Sequence, residues 1–260
     1  DSKLAKSAGL ALTERGEIIT DEHMRTSDEN IWAVGDAVAV TEIISGKRRH
    51  IPLAGPANKQ ARVAADNICG IESKYAGAQG TSIVKFMDCV AASCGLTENL
   101  AKFYGLDYEK SFTYSPSHAT YYPGASNMCI KLVFEKGSGK VLGAQIVGSE
   151  GVDKRIDVLA AAMRAGMSAR QLAEIDLAYA PPFSSVRDPV NVAGYVASNI
   201  LDGLVKVVHW HDLEGMKGAQ FIDVRTPAEY AKGAIPGFIN IPLDSMRENL
   251  GKIDKGRPVV

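Results

Sequence analysis

Thr26-Ser27-Asp28-Glu29-Asn30-Ile31-Trp32-Ala33-Val34-Gly35-Asp36 is the stretch on which the fold turns. Its apolar run stops at Gly-Asp, so Asn30–Asp36 reads as a buried strand with a polar stop. Upstream, Glu17-Ile18-Ile19-Thr20 reads as a short strand. Downstream, Pro52 opens a stretch rich in Ala, Gln, Arg and Asn that runs to Ile68. Proline suits the first turn of a helix, where its missing N–H is not needed, so a helix is expected there.

The chain has 260 residues, with 29 Lys and Arg against 30 Asp and Glu, for a formal charge of -1. Such a balance lacks the basic footprint of a nucleic-acid-binding protein. Hydrophobic residues at 46% and charged residues at 23% are ordinary globular usage, which argues against disorder. No apolar run reaches the ~20 residues of a membrane helix. The four cysteines, Cys69, Cys89, Cys94 and Cys129, do not read as a disulfide framework, because a chain of this size builds a core without staples. An intracellular, reducing setting is expected, and with it a cytoplasmic location. The start, Asp1-Ser2-Lys3-Leu4, is neither a methionine start nor a signal peptide.

Three segments separate along the chain, over residues 1–72, 78–201 and 204–260. In the second, Thr81–Val90 is strand-like, and Met128–Glu135 and Lys140–Val147 form a hairpin around Lys136-Gly137-Ser138-Gly139. Over Val152–Ala165, Val152, Ile156, Leu159, Ala160 and Met163 make one helical stripe, with Lys154, Arg155 and Arg164 off it. A helix over Ala169–Asp176 should stop before Tyr179-Ala180-Pro181-Pro182, since a residue preceding proline is driven extended. Asp188 sits in the N-cap place of a last helix, Asp188–Ile200, with Pro189 in its first turn. In the third segment Phe221–Arg225 reads as a strand and Pro227–Lys232 as a helix. Pro258-Val259-Val260 reads as the start of another buried strand, so the chain is expected to stop in mid-element.

The Thr26–Asp36 string resembles the second flavin-binding motif of the pyridine nucleotide-disulfide oxidoreductases, with Trp32 where that family usually has Tyr. The resemblance implies that Gly35 lets backbone approach FAD and that Asp36 accepts a ribityl hydroxyl. It also implies that the helix entered through Pro52, Leu53 and Ala54 aims its N-terminus at the flavin's pyrimidine edge. Reduction places negative charge there, which N–H groups and the helix dipole stabilise. Asn58, on the first turns, is either a flavin or substrate contact or a solvated helix residue. Residues 78–201 resemble the family's dimerisation domain, in particular the coenzyme A disulfide reductase branch. The strings that carry this are Ala119-Thr120-Tyr121-Tyr122-Pro123-Gly124, Gly151-Val152-Asp153-Lys154-Arg155-Ile156-Asp157-Val158-Leu159 and Tyr179-Ala180-Pro181-Pro182-Phe183-Ser184.

In that branch two tyrosines reach across a homodimer to the partner's active-site cysteine. Tyr179 fits one place and Tyr121 the other, better than Tyr122, which would face the opposite side of a strand. A phenol can hydrogen-bond a thiolate or donate to a leaving sulfur, although tyrosine also suits plain interface packing. Arg187 falls where the branch offers a cation to the coenzyme A phosphates, a contact that guanidinium suits. No His-Pro dipeptide occurs, which favours the single-cysteine branch over glutathione reductase-like enzymes.

Phe221-Ile222-Asp223-Val224-Arg225-Thr226-Pro227-Ala228-Glu229-Tyr230, with Gly233–Gly237 and Asn240-Ile241-Pro242-Leu243, resembles a rhodanese domain, Ala234 standing where a His is common. The resemblance implies that Asp223, Arg225 and Glu229 brace the loop near the site, and that the persulfide-carrying Cys follows the strand beginning at Val259.

The fold expected is therefore α/β and α+β. It comprises the end of a Rossmann-like FAD domain, an α+β dimerisation domain and the first half of an α/β rhodanese domain. The function implied is an FAD-dependent reductase of coenzyme A disulfide or persulfide, drawing on NADH or NADPH, with coenzyme A as substrate or ligand. The redox Cys and the first FAD and NAD(P) motifs are expected before Asp1, so residues 1–260 alone should be inactive. An NADH oxidase or peroxidase of the same superfamily is the enzymatic alternative, and a dimerisation and sulfur-relay module the non-enzymatic one.

Three features read as decoys. Cys89-Val90-Ala91-Ala92-Ser93-Cys94 has the spacing of a redox disulfide but follows the flavin motif instead of preceding it. Gly137-x-Gly139-x-x-x-Gly143 lacks the strand-loop-helix context of a nucleotide loop. His209-Trp210-His211 lacks a third metal ligand nearby and reads as linker, and no metal site is expected.

Overall fold

In the computed structural model, which describes residues 2–260, the chain enters through helix α1 (Lys3–Ser7) and strand β1 (Ile18–Ile19). The stretch Asn30–Asp36 is not the buried strand expected. The Asp28 carboxylate accepts the Asn30 N–H at 2.9 Å, Trp32 makes an isolated bridge to Arg25, and Ile31 and Val34 are exposed. Gly35 takes φ +78°, a left-handed value that ends an extended run, and begins a single 3₁₀ turn, Gly35–Ala37. Burial comes after the Gly-Asp pair, in β2 (Val38–Thr41), which lies parallel to β1 and antiparallel to β3 (Arg48–His50). Helix α2 (Ala54–Ile68) then packs on the 3₁₀ turn. Met24, Val38, Val40, Ile51, Val63, Ala64 and Ala78 close a small core beneath it.

The next 120 or so residues build a five-stranded antiparallel sheet. Its strands are β4 (Ser82–Phe86), β5 (Cys89–Gly95), β6 (Tyr108–Pro116), β7 (Asn127–Glu135) and β8 (Val141–Gly148), in the order β4-β5-β8-β7-β6. The expected single strand Thr81–Val90 is two strands. Phe86 pairs with Cys89, and Met87 turns the corner at φ 51°. Helix α3 (Glu98–Phe103), capped by Thr97, and strand β6 were not anticipated. The hairpin of β7 and β8 falls where it was expected.

Helices α4 (Val152–Arg164), α5 (Ala169–Glu174) and α6 (Pro189–Leu201) complete this unit, with α4 and α6 against the sheet. Val152, Ile156, Leu159 and Met163 of α4 enter a core with Ile130, Leu132, Phe134, Ile146, Val190 and Ala193. Arg155, expected off this stripe, is 1% exposed.

Glu98 organises the far edge of the sheet, accepting hydrogen bonds from Lys110 of β6 and Lys131 of β7. Burial would raise its pKa, but the two ammonium groups outweigh burial and hold it down at about 2. A carboxyl depressed in this way stabilises the fold above its ordinary value of 4.5 and loses that contribution as pH falls toward about 2. Glu98→Gln should therefore lower the urea midpoint near neutrality and flatten its fall between about pH 5 and pH 2. An equal acid dependence in both proteins would remove Glu98 from the account.

The chain divides into two compact units, one ending at Leu204 and the other covering Val205–Val260. Within the second, a 3₁₀ helix over Trp210–Gly215 holds Trp210 and His211, so this segment is structured and not bare linker. Strand β9 (Ile222–Asp223), helix α7 (Pro227–Ala231) and strand β10 (Ile239–Asn240) follow, with β9 and β10 parallel. Gln220 bridges Val259 in parallel, and the Ile222 N–H donates to the Val260 carbonyl at 2.9 Å. The chain end thus pairs like a strand, but Val259 is exposed and not buried as expected.

Candidate functional site

Gly35 and Asp36 lie where the 3₁₀ turn meets α2. The side chain of Gln60, buried in α2, accepts the Gly35 N–H at 2.7 Å. This bond holds the glycine in its left-handed conformation. His50 Nε2 lies 2.7 Å from the Asp36 carbonyl, and the Asp36 side chain is exposed. Ile51 is buried, while Pro52 is exposed and Leu53 half-buried at the N-cap of α2. Leu53 contributes no capping side chain, no acidic residue occupies the first turn, and Pro56 has no N–H. The positive end of this 15-residue helix therefore has no capping or acidic side chain of its own. Asn58 is exposed on the second turn.

A second cluster forms on two loops of the dimerisation-like unit. Tyr121 stands between β6 and β7, and Tyr179 between α5 and α6, yet their phenol oxygens lie 3.3 Å apart. Both are solvent-facing, at 76% and 44% exposure. The hydrogen bond with Tyr121 raises the Tyr179 pKa above its ordinary value, so the Tyr179 phenol is a protonated donor near neutrality. Tyr122 lies apart from this pair, its ring edge-on to His118 at 5.8 Å. Arg187 is exposed directly before Asp188, the N-cap of α6.

The residue that sequence reasoning missed is Arg155. Its guanidinium is buried against Asp188, with Nη2 2.9 Å from Oδ2. Its position in a string shared with the reductase branch was the available signal. Helical spacing carries a signal too, since Arg155 follows Val152 by three residues and precedes Leu159 by four, at the edge of the buried stripe.

The cysteines divide as their positions dictate. Cys89 and Cys94 are five residues apart on one strand, so their Cα atoms are separated by about 17 Å, far beyond the ~7 Å limit of a disulfide. Cys94 is buried, and burial pushes its thiol up to about 12, which keeps it from acting as a thiolate.

Models of one family match residues 1–61 (pyridine nucleotide-disulphide oxidoreductase) and 81–190 (its dimerisation domain), and a rhodanese-like domain matches 210–260. The chain belongs to the pyridine nucleotide-disulphide oxidoreductases. Its relatives include the NAD(P)H sulfur oxidoreductase (CoA-dependent) of Pyrococcus furiosus, 43% identical over 194 residues, covering 75% of this chain and 44% of that one. The reduced Bacillus anthracis CoADR-RHD crystal structure superposes with TM-score 0.95 at 46% identity, covering 100% of this chain and 47% of that one. The NAD-dependent persulfide reductase of A. fulgidus gives TM-score 0.92 at 44% identity, covering 100% and 47%. The chain thus spans about half the length of the proteins it matches.

This family uses FAD and NAD(P)H. The residues present fit the flavin. Gly35 keeps a backbone conformation that a side chain would strain, Asp36 offers an exposed carboxylate, and α2 offers an uncapped N-terminus. In the rhodanese-like unit, Arg225 pairs with Asp223 at 2.6 Å and donates to the Gly233 carbonyl at 2.8 Å, while Glu229 closes a capping box with Thr226. These contacts brace the loop, the part expected of the three residues. Among the described residues, no helix is long and apolar enough to cross a membrane.

Proposed function

We propose that this chain supplies the flavin edge, the dimerisation domain and a rhodanese-like segment of a reductase acting on coenzyme A disulfide or coenzyme A persulfide or polysulfide. Residues 1–72, 78–201 and 204–260 are the three functional parts, and the active assembly is a cytoplasmic homodimer. When bound, FAD relays reducing equivalents from NADH or NADPH to sulfur. Gly35, Asp36 and the start of α2 at Pro52, Leu53 and Ala54 would hold the flavin, Asp36 as hydrogen-bond acceptor and the free N–H groups of the helix start as stabilisers of the negative charge that reduction brings. Tyr121 and Tyr179 serve the sulfur chemistry of the partner subunit. As the S–S bond to coenzyme A breaks, their hydroxyls donate to the departing thiolate and offset its charge. Arg187 meets the coenzyme A phosphates and Asn58 the substrate near the helix start. The rhodanese-like domain of the whole protein would present its persulfide sulfur to the reductase.

The observation that carries this reading is the exposed Tyr121–Tyr179 pair, two phenols from loops 58 residues apart brought within hydrogen-bond distance. In the full-length, flavin-loaded protein, Tyr179→Phe should lower kcat for coenzyme A disulfide by about 10- to 100-fold, with flavin absorbance unchanged. Unchanged turnover would remove the phenols from the chemistry. In the same assay Arg187→Glu should raise KM for coenzyme A disulfide and leave kcat nearly constant, because a phosphate contact acts equally in ground and transition states. NADH consumption with O₂ and none with coenzyme A disulfide would instead favour an oxidase.

A further inference from the structure

We propose that Arg155 is a positioning residue, whose buried guanidinium ties the loop carrying Tyr121 to the loop carrying Tyr179 and thereby sets the distance between the two phenols. The mechanical claim stands on geometry alone. Its catalytic consequence rests on the function proposed above.

Arg155 projects from the first turns of α4 into the gap between the two loops. Its Nη2 donates to the Ser117 carbonyl at 2.9 Å, at the neck of the Tyr121 loop. The same nitrogen reaches the Phe183 carbonyl at 3.4 Å, Ser184 Oγ at 3.2 Å and Asp188 Oδ2 at 2.9 Å, all on the Tyr179 loop or its end. Nε points to Asp188 Oδ1 at 3.4 Å, and Nη1 to the Gly151 carbonyl at 3.2 Å.

Both anchor points are themselves fixed. The Ser117 N–H donates to the Ser126 carbonyl at 2.8 Å, closing the neck of the first loop. The Ser184 hydroxyl donates to Asp188 Oδ2 at 2.7 Å, and Asp188 Oδ1 caps α6 through the Val190 N–H at 3.0 Å. Between the loops, the Ala119 N–H is shared by the carbonyls of Pro181 (3.3 Å) and Ser184 (3.1 Å).

The phenols cannot set their own spacing, because both are exposed and a lone surface hydroxyl pair is a weak constraint. The buried fork can. Nη2 alone reaches both loops, and the rigid plane of the guanidinium fixes it there by adding Nε to Asp188 and Nη1 to Gly151, an orientation that a single rotating ammonium does not keep. The site is also shaped for it, since a Cβ on Gly151 would come within 2.3 Å of Nη1.

The test uses the full-length, flavin-loaded protein with 3-fluorotyrosine at position 179. With Arg155 intact, Tyr121→Phe should shift the ¹⁹F resonance, because the hydroxyl contact is lost. In an Arg155→Lys background the same change should leave the resonance in place, the phenols having already parted. Arg155→Lys should lower kcat about 10-fold with KM within about 2-fold, a misplacement effect. In a Tyr121→Phe/Tyr179→Phe background it should cost less than about 2-fold, because coupled residues are not additive. Ser184→Ala removes one arm while keeping the ion pair. It should reproduce the loss of ¹⁹F coupling in part, and it carries the test if Arg155→Lys does not fold.

Full ¹⁹F coupling in both variants, or kinetic effects that simply multiply, would overturn the proposal. If the tyrosine changes leave turnover untouched while Arg155→Lys still abolishes the ¹⁹F coupling, the functional reading fails and the positioning role stands.

Discussion

Asp188→Ala is expected to lose about 3–5 kcal/mol of unfolding free energy, the usual cost of stranding a buried charge. The carboxylate is 3% exposed and has three jobs. It neutralises Arg155, accepts the Ser184 hydroxyl, and caps α6 through the Val190 N–H. Burial by itself would raise its pKa. The bonds from Ser184, Val190 and Arg155 outweigh burial and hold it below the ordinary 3.8. The stability it contributes is thus complete above that value and fades as pH falls beneath it. Lys154, 3.7 Å away and part-exposed, cannot replace Arg155 inside the protein.

The decisive comparison is with the double variant Arg155→Met/Asp188→Leu. Most of the single-mutant loss comes from leaving one charge buried alone, so removing both should cost less than removing Asp188 alone. Equilibrium unfolding in urea near neutral pH measures both. A double variant less stable than Asp188→Ala would mean that the network contributes net attraction well beyond its desolvation cost.

Asp36→Ala should weaken flavin retention by about 10- to 100-fold, the worth of one hydrogen bond to a charged acceptor. The exposed side chain of Asp36 leaves the fold little reason to miss it, so the thermal midpoint of the flavin-free protein should barely move. Asp36→Asn, which keeps an acceptor oxygen but not the charge, should fall between. Gly35→Val should do more damage, because φ +78° is strained for a β-branched residue whatever space surrounds it. The ratio of flavin to protein absorbance after dialysis of the full-length protein checks all three. An Asp36→Ala protein that keeps its full yellow complement would remove this carboxylate from the flavin site.

Much of the candidate site was legible in the residue string. The Gly-Asp motif, the helix through Pro52, the N-cap at Asp188 and the hairpin at Lys136–Gly139 are local, and local chemistry suffices to read them. Failures cluster where a neighbour far along the chain decides. Residues 30–36 carry a strand's composition, but strand burial went to Val38–Val40, which pair with β1 and β3. Met87 gives no turn signal, because left-handed φ there is imposed by the pairing of β4 with β5. Strand β6 alternates polar and aromatic residues and becomes a strand by pairing along β7.

The same division holds for function. The amino-acid sequence by itself determined the family and singled out Gly35, Asp36 and the two tyrosines as candidates, because these depend on residue type and short spacing. Only the tertiary structure decided that Tyr121 and Tyr179 meet at 3.3 Å and that Arg155 lies beneath them in the interior. A helical repeat specifies which face a residue occupies, but not what is packed against that face. Here the facing loops present acceptors at Ser117, Phe183, Ser184 and Asp188, the start of α4 adds Gly151, and a buried guanidinium is the group that meets them.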